Sequence, residues 1–170
     1  MPNHVTHKLM VEGKNKDLQK FLNTCFTKEG ELDFNSLVPM PKILKKTICG
    51  NTNEMQTDRY KSIEKEAIEK TGFKNWYDWS LDKWGTKWNA YHTQTTDNTD
   101  SIELMFDTAW SCPVPIFEVL EIKWPVLTFE GFAIDEGFMF GAAINVDVNG
   151  ANVEFFNVHS GFYEAFGYRL

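Results

Sequence analysis

Residues 84–115, WGTKWNAYHTQTTDNTDSIELMFDTAWSCPVP, decide the fold class of this chain. Residues 86–92 alternate in polarity as a strand does, and residues 101–110 alternate again, with apolar side chains on one face. Residues 94–100 between them are rich in Thr, Asn and Asp, which favour a turn. The stretch therefore predicts an antiparallel hairpin. Ser111-Cys112-Pro113 predicts a helix directly after it, because Ser caps helices and Pro tolerates their first turn.

The residues after this hairpin continue the pattern of a sheet. Residues 126–134 and 137–148 read as two strands joined by a tight turn at 135–137. Asn149-Gly150 predicts a second turn, which leads to a short strand at 152–156. The last segment, 160–168, is expected to be a short aromatic helix or a packed coil. Strand, hairpin, strand, helix, strand, strand is the order typical of an antiparallel sheet with a helix on one face.

The residues before the hairpin predict a strand, a helix and a second strand. Residues 4–11 alternate as a strand, and residues 15–27 carry apolar side chains at helical spacing with Asn15 as the cap. Residues 32–38 are interpreted as a second strand or extended segment before Pro39. Residues 54–70 then form a charged surface helix that ends at Gly72.

These elements together predict a single α+β domain over residues 1–170. It consists of the opening strand-helix-strand unit at 1–53, a helical insertion at about 54–84, and a ferredoxin-like C-terminal part at 85–170. The expected fold is a ferredoxin-like antiparallel sheet with helices packed on one face and an inserted helical segment.

Four of the six tryptophans lie within residues 75–92. Up to about Lys83 this stretch suits a helix, and Gly85 then breaks it. One predicted helix face holds Tyr77, Leu81, Trp84 and Trp88, and a second holds Trp76, Trp79 and Lys83. A helix that is apolar on two sides is either sandwiched between other elements or binds something, so the cluster is a packing hub or a recognition surface.

Composition indicates a globular protein without a membrane span. The chain is 42% hydrophobic and 24% charged, and its apolar runs are too short to cross a bilayer. The first residues show no secretory signal, so a cytoplasmic location is expected. The cysteines, Cys25, Cys49 and Cys112, have no short spacing, which argues against a disulfide framework or a zinc knuckle.

The net charge of −7 is divided unevenly along the chain. Residues 1–74 hold 13 Lys or Arg and 10 Asp or Glu, whereas residues 75–170 hold 4 and 14, a net charge of −10. A surface of this sign repels phosphate backbones, so nucleic-acid binding through the C-terminal half is disfavoured. The acidity is also explained by solubility alone.

Residues 84–90 and 106–115, together with the opening 1–6, resemble a family of small proteins carried by bacteriophages, plasmids and other mobile elements. The C-terminal part of that family is called a YubB-type ferredoxin-like domain. The resemblance covers essentially the whole chain, and it implies the fold and a mobile-element origin. The family has no assigned activity, so the resemblance implies no catalytic residue; it singles out the motifs 84–89 and 107–113.

Pairing of the two predicted strands brings these motifs close together. We expect a candidate ligand or partner site there, in which rings stack and a lysine and an aspartate orient the bound group. The candidate residues are Trp84, Gly85, Thr86, Lys87, Trp88, Asn89, Asp107, Trp110 and Ser111. The alternative is that the tryptophans pack the inserted segment onto the sheet and that Lys87 and Asp107 form an ordinary surface pair.

The sequence indicates no catalytic or metal site. The four histidines are scattered, without the i, i+4 spacing of two ligands on a helix. Glu130, Asp135 and Glu136 flank a turn, where carboxylates are ordinary. Cys112 at a helix start is either a buried structural thiol or one with a lowered pKa. No cofactor is expected.

Three function classes remain. The first is a phage or plasmid accessory protein that binds a host or phage protein, with its acidic C-terminal half as the contact. The second is a small-ligand, nucleotide or single-strand binder that uses the Trp-rich stretch 75–92. The third is an enzyme, for which no coherent site is apparent. The oligomeric state stays open.

Overall fold

The computed structural model describes residues 3–50 and 52–158, which contain one six-stranded sheet and five α-helices. The strands are β1 His4–Glu12, β2 Tyr91–Asp97, β3 Ser101–Ala109, β4 Thr128–Asp135, β5 Gly141–Asp147 and β6 Gly150–Phe156. The helices are α1 Asn15–Cys25, α2 Phe34–Leu37, α3 Asp58–Thr71, α4 Trp76–Lys83 and α5 Val114–Lys123. Two short 3₁₀ turns, Leu44–Lys46 and Asn53–Gln56, lie between α2 and α3.

The strand order is β2-β3-β1-β4-β5-β6, and every neighbouring pair is antiparallel. The first four strands, with α1 after β1 and α5 after β3, form the βαββαβ arrangement of a ferredoxin-like fold, and β5 and β6 extend its edge. The predicted fold class is confirmed. Because β1 lies between β3 and β4, the opening strand of the chain is a central strand of the sheet.

One face of the sheet is buried under helices, and no helix among residues 3–50 and 52–158 covers the other. Along β1, inward side chains such as Val5 and Leu9 are buried while the alternate residues are partly or fully exposed, as the two-residue period of a strand requires. Phe21 of α1 packs edge-on against Trp124 and Phe129, which joins the helices to the sheet. We call the uncovered side, with outward residues of all six strands, the open face.

The predicted second strand at 32–38 is wrong. Phe34–Leu37 is a helix of four residues, and a single bridge from Leu32 to Phe26 is the only strand-like pairing described for this segment. The Asp33 side chain caps the helix by accepting from the backbone N–H of Asn35. Both Phe34 and Leu37 are buried, and their i, i+3 spacing places them on one face of a helical turn, whereas a strand would direct them to opposite faces.

The start of β2 also differs from the prediction. Residues 86–90 pair with no strand among the described residues, and β2 begins only at Tyr91. It continues to Asp97, so its second half occupies residues that were predicted to form the loop. Side-chain hydrogen bonds hold residues 86–90 in place of strand pairing. Thr86 Oγ1 donates to the Ala109 carbonyl at 2.9 Å, and Asn89 Oδ1 accepts from the N–H of Phe34 at 2.7 Å. The hairpin loop is therefore short, at 98–100.

Other boundaries shift by a few residues. Asn15 is the first residue of helix α1 and not its cap, since Lys14 occupies the N-cap position and its side chain makes no capping hydrogen bond. Helix α5 begins at Val114 rather than at Ser111, and β5 begins only at Gly141. Gly72 ends α3 in a left-handed conformation, as predicted. The helix or coil expected at 160–168 lies outside the described residues. Over the described ranges, no helix has the length and hydropathy that crossing a membrane requires.

Candidate functional site

The four tryptophans of the 75–92 stretch divide into a buried pair, the partly buried Trp76 and one exposed residue. Trp79 and Trp84 are each 4% exposed, their rings lie 5.2 Å apart edge to face, and Trp84 Nε1 donates to the Val38 carbonyl. Trp88 is 39% exposed. The predicted assignment of helix faces is wrong, because α4 ends at Lys83 and so excludes Trp88, and because Trp79 and Trp84, predicted on different faces, pack against each other. The buried pair packs the insertion, whereas Trp88 is exposed to solvent.

The two motifs singled out in the sequence are in contact. Ser111 Oγ donates to the Gly85 carbonyl at 2.6 Å, and Thr86, which is fully buried, bonds to Ala109. Gly85 has a φ of +75°, and a Cβ there would lie 2.6 Å from Pro115 Cδ. The turn at Gly85 therefore seats the first motif against the start of α5, and these groups are structural.

Lys87 lies among exposed aromatic rings at this junction. Its Nζ is 4.6 Å from the ring centre of Trp110, 4.9 Å from that of Trp88 and 5.8 Å from that of Tyr77. Trp110 is 44% exposed. Such cation–π contacts hold the ammonium against the rings. We call Tyr77, Lys87, Trp88 and Trp110 the aromatic cluster.

Two other candidate residues stand apart from this cluster. Asn89 is structural: its amide donates to Asp33 and its oxygen accepts from backbone N–H groups. Asp107 forms no ion pair with Lys87 among the described contacts. Its Oδ1 accepts from Thr6 Oγ1 at 2.8 Å, and its Oδ2 lies 2.9 Å from His92 Nδ1.

Asp107 belongs to a second cluster, which includes two histidines. His4 Nδ1 and the Tyr91 hydroxyl are hydrogen-bonded at 2.8 Å, and His4 Nε2 lies 3.9 Å from Glu136 Oε2. The rings of His4 and His92 are 6.0 Å apart. We call His4, His92 and Asp107 the histidine cluster. Sequence reasoning missed it because its members come from three different strands.

A β-bulge places His92 in this cluster. Tyr91 lies opposite Asp107 and Gln94 opposite Met105, so β2 advances three residues while β3 advances two. His92 takes a φ of +54°, rare for a residue with a side chain, and its ring meets that of Tyr91 edge to face at 5.0 Å. Consecutive side chains thereby reach the same side of the sheet, where Asp107 lies. Trp110, with a φ of +70°, is a second such residue at this end.

The C-terminal part of the chain is similar to a known family model. Residues 83–161 match the family model described as the ferredoxin-like domain in Api92-like protein. The crystal structure of a protein api92 from Yersinia pseudotuberculosis is similar over 94% of this chain and 99% of that chain, with a TM-score of 0.53 and 8% identity. At that identity the likeness concerns the fold alone. No curated protein matches the sequence.

Both junction motifs lie within the residues that match the family model, whereas His4 precedes them.

Burial raises the pKa of the Cys112 thiol to about 12. The thiolate expected as one alternative at this helix start therefore does not form, and Cys112 is a buried structural thiol. Partial burial, with the Asp107 and Glu136 carboxylates nearby, raises the pKa of Tyr91 to about 12. Tyr91 therefore keeps its proton at neutral pH.

The described cavities lie away from the aromatic cluster. A cavity of about 510 Å³ opens between α1 and α5, lined among others by Lys20, Cys25 and Trp124, and none of its lining residues belongs to either junction motif. A smaller one, of about 340 Å³, lies on the open face between Glu130 and Glu154.

The three carboxylates considered for a cation, Glu130, Asp135 and Glu136, do not converge. Asp135 is buried, and its carboxylate accepts a hydrogen bond from the Met139 N–H.

Proposed function

We propose that this protein is an accessory protein of a phage or plasmid that acts in the bacterial cytoplasm by binding a host or phage protein. The partner has a basic surface, and the open face of the sheet is the contact. The mobile-element origin rests on the resemblance of residues 84–90 and 106–115. The contact surface rests on the charges of the open face.

A single observation carries this proposal: the open face is acidic and has hardly any counter-charge. Glu103, Asp107, Glu130 and Glu154 project from its strands, and Lys8 is the one Lys or Arg in all six strands. Lys8 Nζ is itself 3.3 Å from Glu103 Oε1. The basic side chain described after Trp88, Lys123, lies on α5 and donates to the Leu37 carbonyl. The face therefore favours a cationic partner and disfavours nucleic acid.

Apolar surface lies among these charges. Met10 is 37% exposed on the open face, and the aromatic cluster lies at the end of the sheet where β1 begins and β3 ends. Protein interfaces combine aromatic anchors that carry much of the binding energy with charges that steer the encounter. A partner that covers the acidic strands thus has Trp88 and Trp110 within its reach.

Charge reversal tests the open face. The double variant Glu130→Lys, Glu154→Lys should lose capture of a basic protein from bacterial lysate, while Glu29→Lys, Glu118→Lys should keep it. The control pair has the same change in net charge, and both of its residues are exposed away from the sheet. Capture is analysed by mass spectrometry and repeated with the purified partner at increasing salt. Equal capture by wild type and both variants, or the absence of any salt-sensitive basic partner, would contradict the proposal.

The exposure of the aromatic cluster favours a second candidate, a site for a small ligand or nucleotide on Trp88 and Trp110. Lys87 already covers these rings, so a ligand would have to displace its ammonium or use it as a counter-charge. Tryptophan fluorescence during titration with nucleotides and short oligonucleotides tests this candidate. A saturable change that Trp88→Phe and Trp110→Phe both reduce supports it, and no change at millimolar ligand excludes it.

A further inference from the structure

We propose that His4, His92 and Asp107 form a binding site for a divalent transition-metal ion of the zinc type. The site lies on the open face, at the end of the sheet where β1 and β2 begin. It shares Asp107 with the acidic face of the partner proposal but uses none of the residues reversed in that test, so the two experiments have separate outcomes.

The three side chains already have nearly the spacing that a metal requires. One ligand atom from each of them lies within 4.8 Å of those from the other two. Around zinc, with bonds of about 2.0–2.1 Å in a tetrahedron, neighbouring ligand atoms lie roughly 3.4 Å apart. Binding therefore needs the ligand atoms to approach one another by at most about 1.4 Å. The His92 side chain is 68% exposed and its ring has room to move.

Neighbouring groups hold two of the ligands in an orientation that leaves an atom for the metal. The Tyr91 hydroxyl bonds to Nδ1 of His4, which leaves Nε2 free for coordination. Thr6 Oγ1 donates to Oδ1 of Asp107, which leaves Oδ2 directed at His92. Outer partners of this kind fix the ring and carboxylate positions in metal sites.

The type of donor selects the metal. Two imidazole nitrogens and one carboxylate oxygen suit zinc and related ions such as Co²⁺, whereas Mg²⁺ and Ca²⁺ prefer oxygen ligands. Three protein ligands leave a fourth position for water or for Glu136, whose Oε2 lies 3.9 Å from His4 Nε2. The bulge at His92 is what brings the second imidazole to Asp107.

The test measures metal binding by the full chain, without an affinity tag and with Cys49→Ser to remove the exposed thiol. Calorimetric titration with zinc chloride should give one ion per chain, and magnesium and calcium chloride should give no saturable heat. Cobalt chloride should produce the visible absorption of tetrahedral Co²⁺. His92→Ala and His4→Ala should each weaken zinc binding by more than about 100-fold, beyond the 10- to 100-fold effect of outer residues. Tyr91→Phe should weaken it by about 10-fold.

Glu103→Gln is the matched control, because it removes a carboxylate from the same strand and face as Asp107 and should leave the affinity unchanged. His92 is largely exposed, so its substitution leaves the fold intact, and circular dichroism checks this. The proposal is overturned if zinc binds wild type and His92→Ala equally, or if no saturable zinc binding occurs. The cluster is then a hydrogen-bonded network only.

Discussion

At the scale of single residues, His7 is the least ordinary side chain of the core. It is fully buried between β3 and β4, its ring stacks on Phe106 at 4.5 Å, and neither ring nitrogen has a hydrogen-bond partner within the described residues. Burial lowers the pKa of His7 to about 4, and the nearby Phe106 backbone and Asp107 carboxylate, which favour the protonated ring, offset only part of that effect. A buried polar group without a partner costs stability.

Replacement of His7 by Leu should therefore stabilise the protein by about 1–3 kcal/mol at pH 7. It should also change the pH dependence. The pKa of His7 is near its ordinary value of 6.5 in the unfolded chain and about 4 in the folded chain, so wild type loses about 3 kcal/mol of stability as pH falls through this window. Urea denaturation at pH 7 and pH 5 measures both effects. His92→Ala, which keeps His7, should retain the wild-type loss; an equal loss in His7→Leu would contradict this account.

At the scale of elements, the turn at Gly85 joins α4 to the segment that leads into β2. Its positive φ and its contact with Pro115 both exclude a Cβ. Gly72, at the end of α3, shares the positive φ, at +78°, but has no atom within 4 Å of an added Cβ. Substitution of these two glycines therefore distinguishes the cost of backbone strain from the cost of a steric clash.

Gly72→Ala should cost about 1–2 kcal/mol of unfolding free energy, the penalty for a left-handed conformation. Gly85→Ala should cost roughly 1–3 kcal/mol more, because the Cβ also pushes Pro115 and the start of α5. Denaturant unfolding of both variants measures the difference. Equal costs would show that α5 moves away without penalty and that the turn does not position the helix.

At the scale of the whole molecule, the sheet order makes the ferredoxin-like part dependent on the start of the chain. β1 pairs along its whole length with β3 and, from Val5, with β4, although both lie about a hundred residues further along. Without β1 these two strands would each have an unpaired edge and an uncovered apolar side.

We therefore predict that a fragment of residues 83–170 does not fold alone, even though the family model matches 83–161. Its amide NMR spectrum should lack dispersion, and a peptide of residues 1–27, which holds β1 and α1, should restore it. The full-length chain is the positive control. A cooperative unfolding transition of the fragment by itself would show instead that residues 83–170 are a self-sufficient unit.

The sequence correctly predicted those elements whose buried side chains recur at a regular spacing along the chain. The alternation of β1 and β3, the helical spacing of α1, and Gly72 at the end of α3 are all observed as predicted. Residues 32–38 and 86–90 were predicted wrongly, since side-chain bonds from Asp33, Thr86 and Asn89 determine their backbone. Such bonds leave no periodic signal.

The sequence by itself determined the α+β class, the acidity of the second half and the proximity of the two junction motifs. Only the tertiary structure decided which tryptophans are exposed, because burial depends on what packs over a helix and not on the helix itself. It also decided that His4 and Tyr91, 87 positions apart, are hydrogen-bonded. The physical reason is the register of three strands and the bulge at His92, which bring distant residues to one side of the sheet.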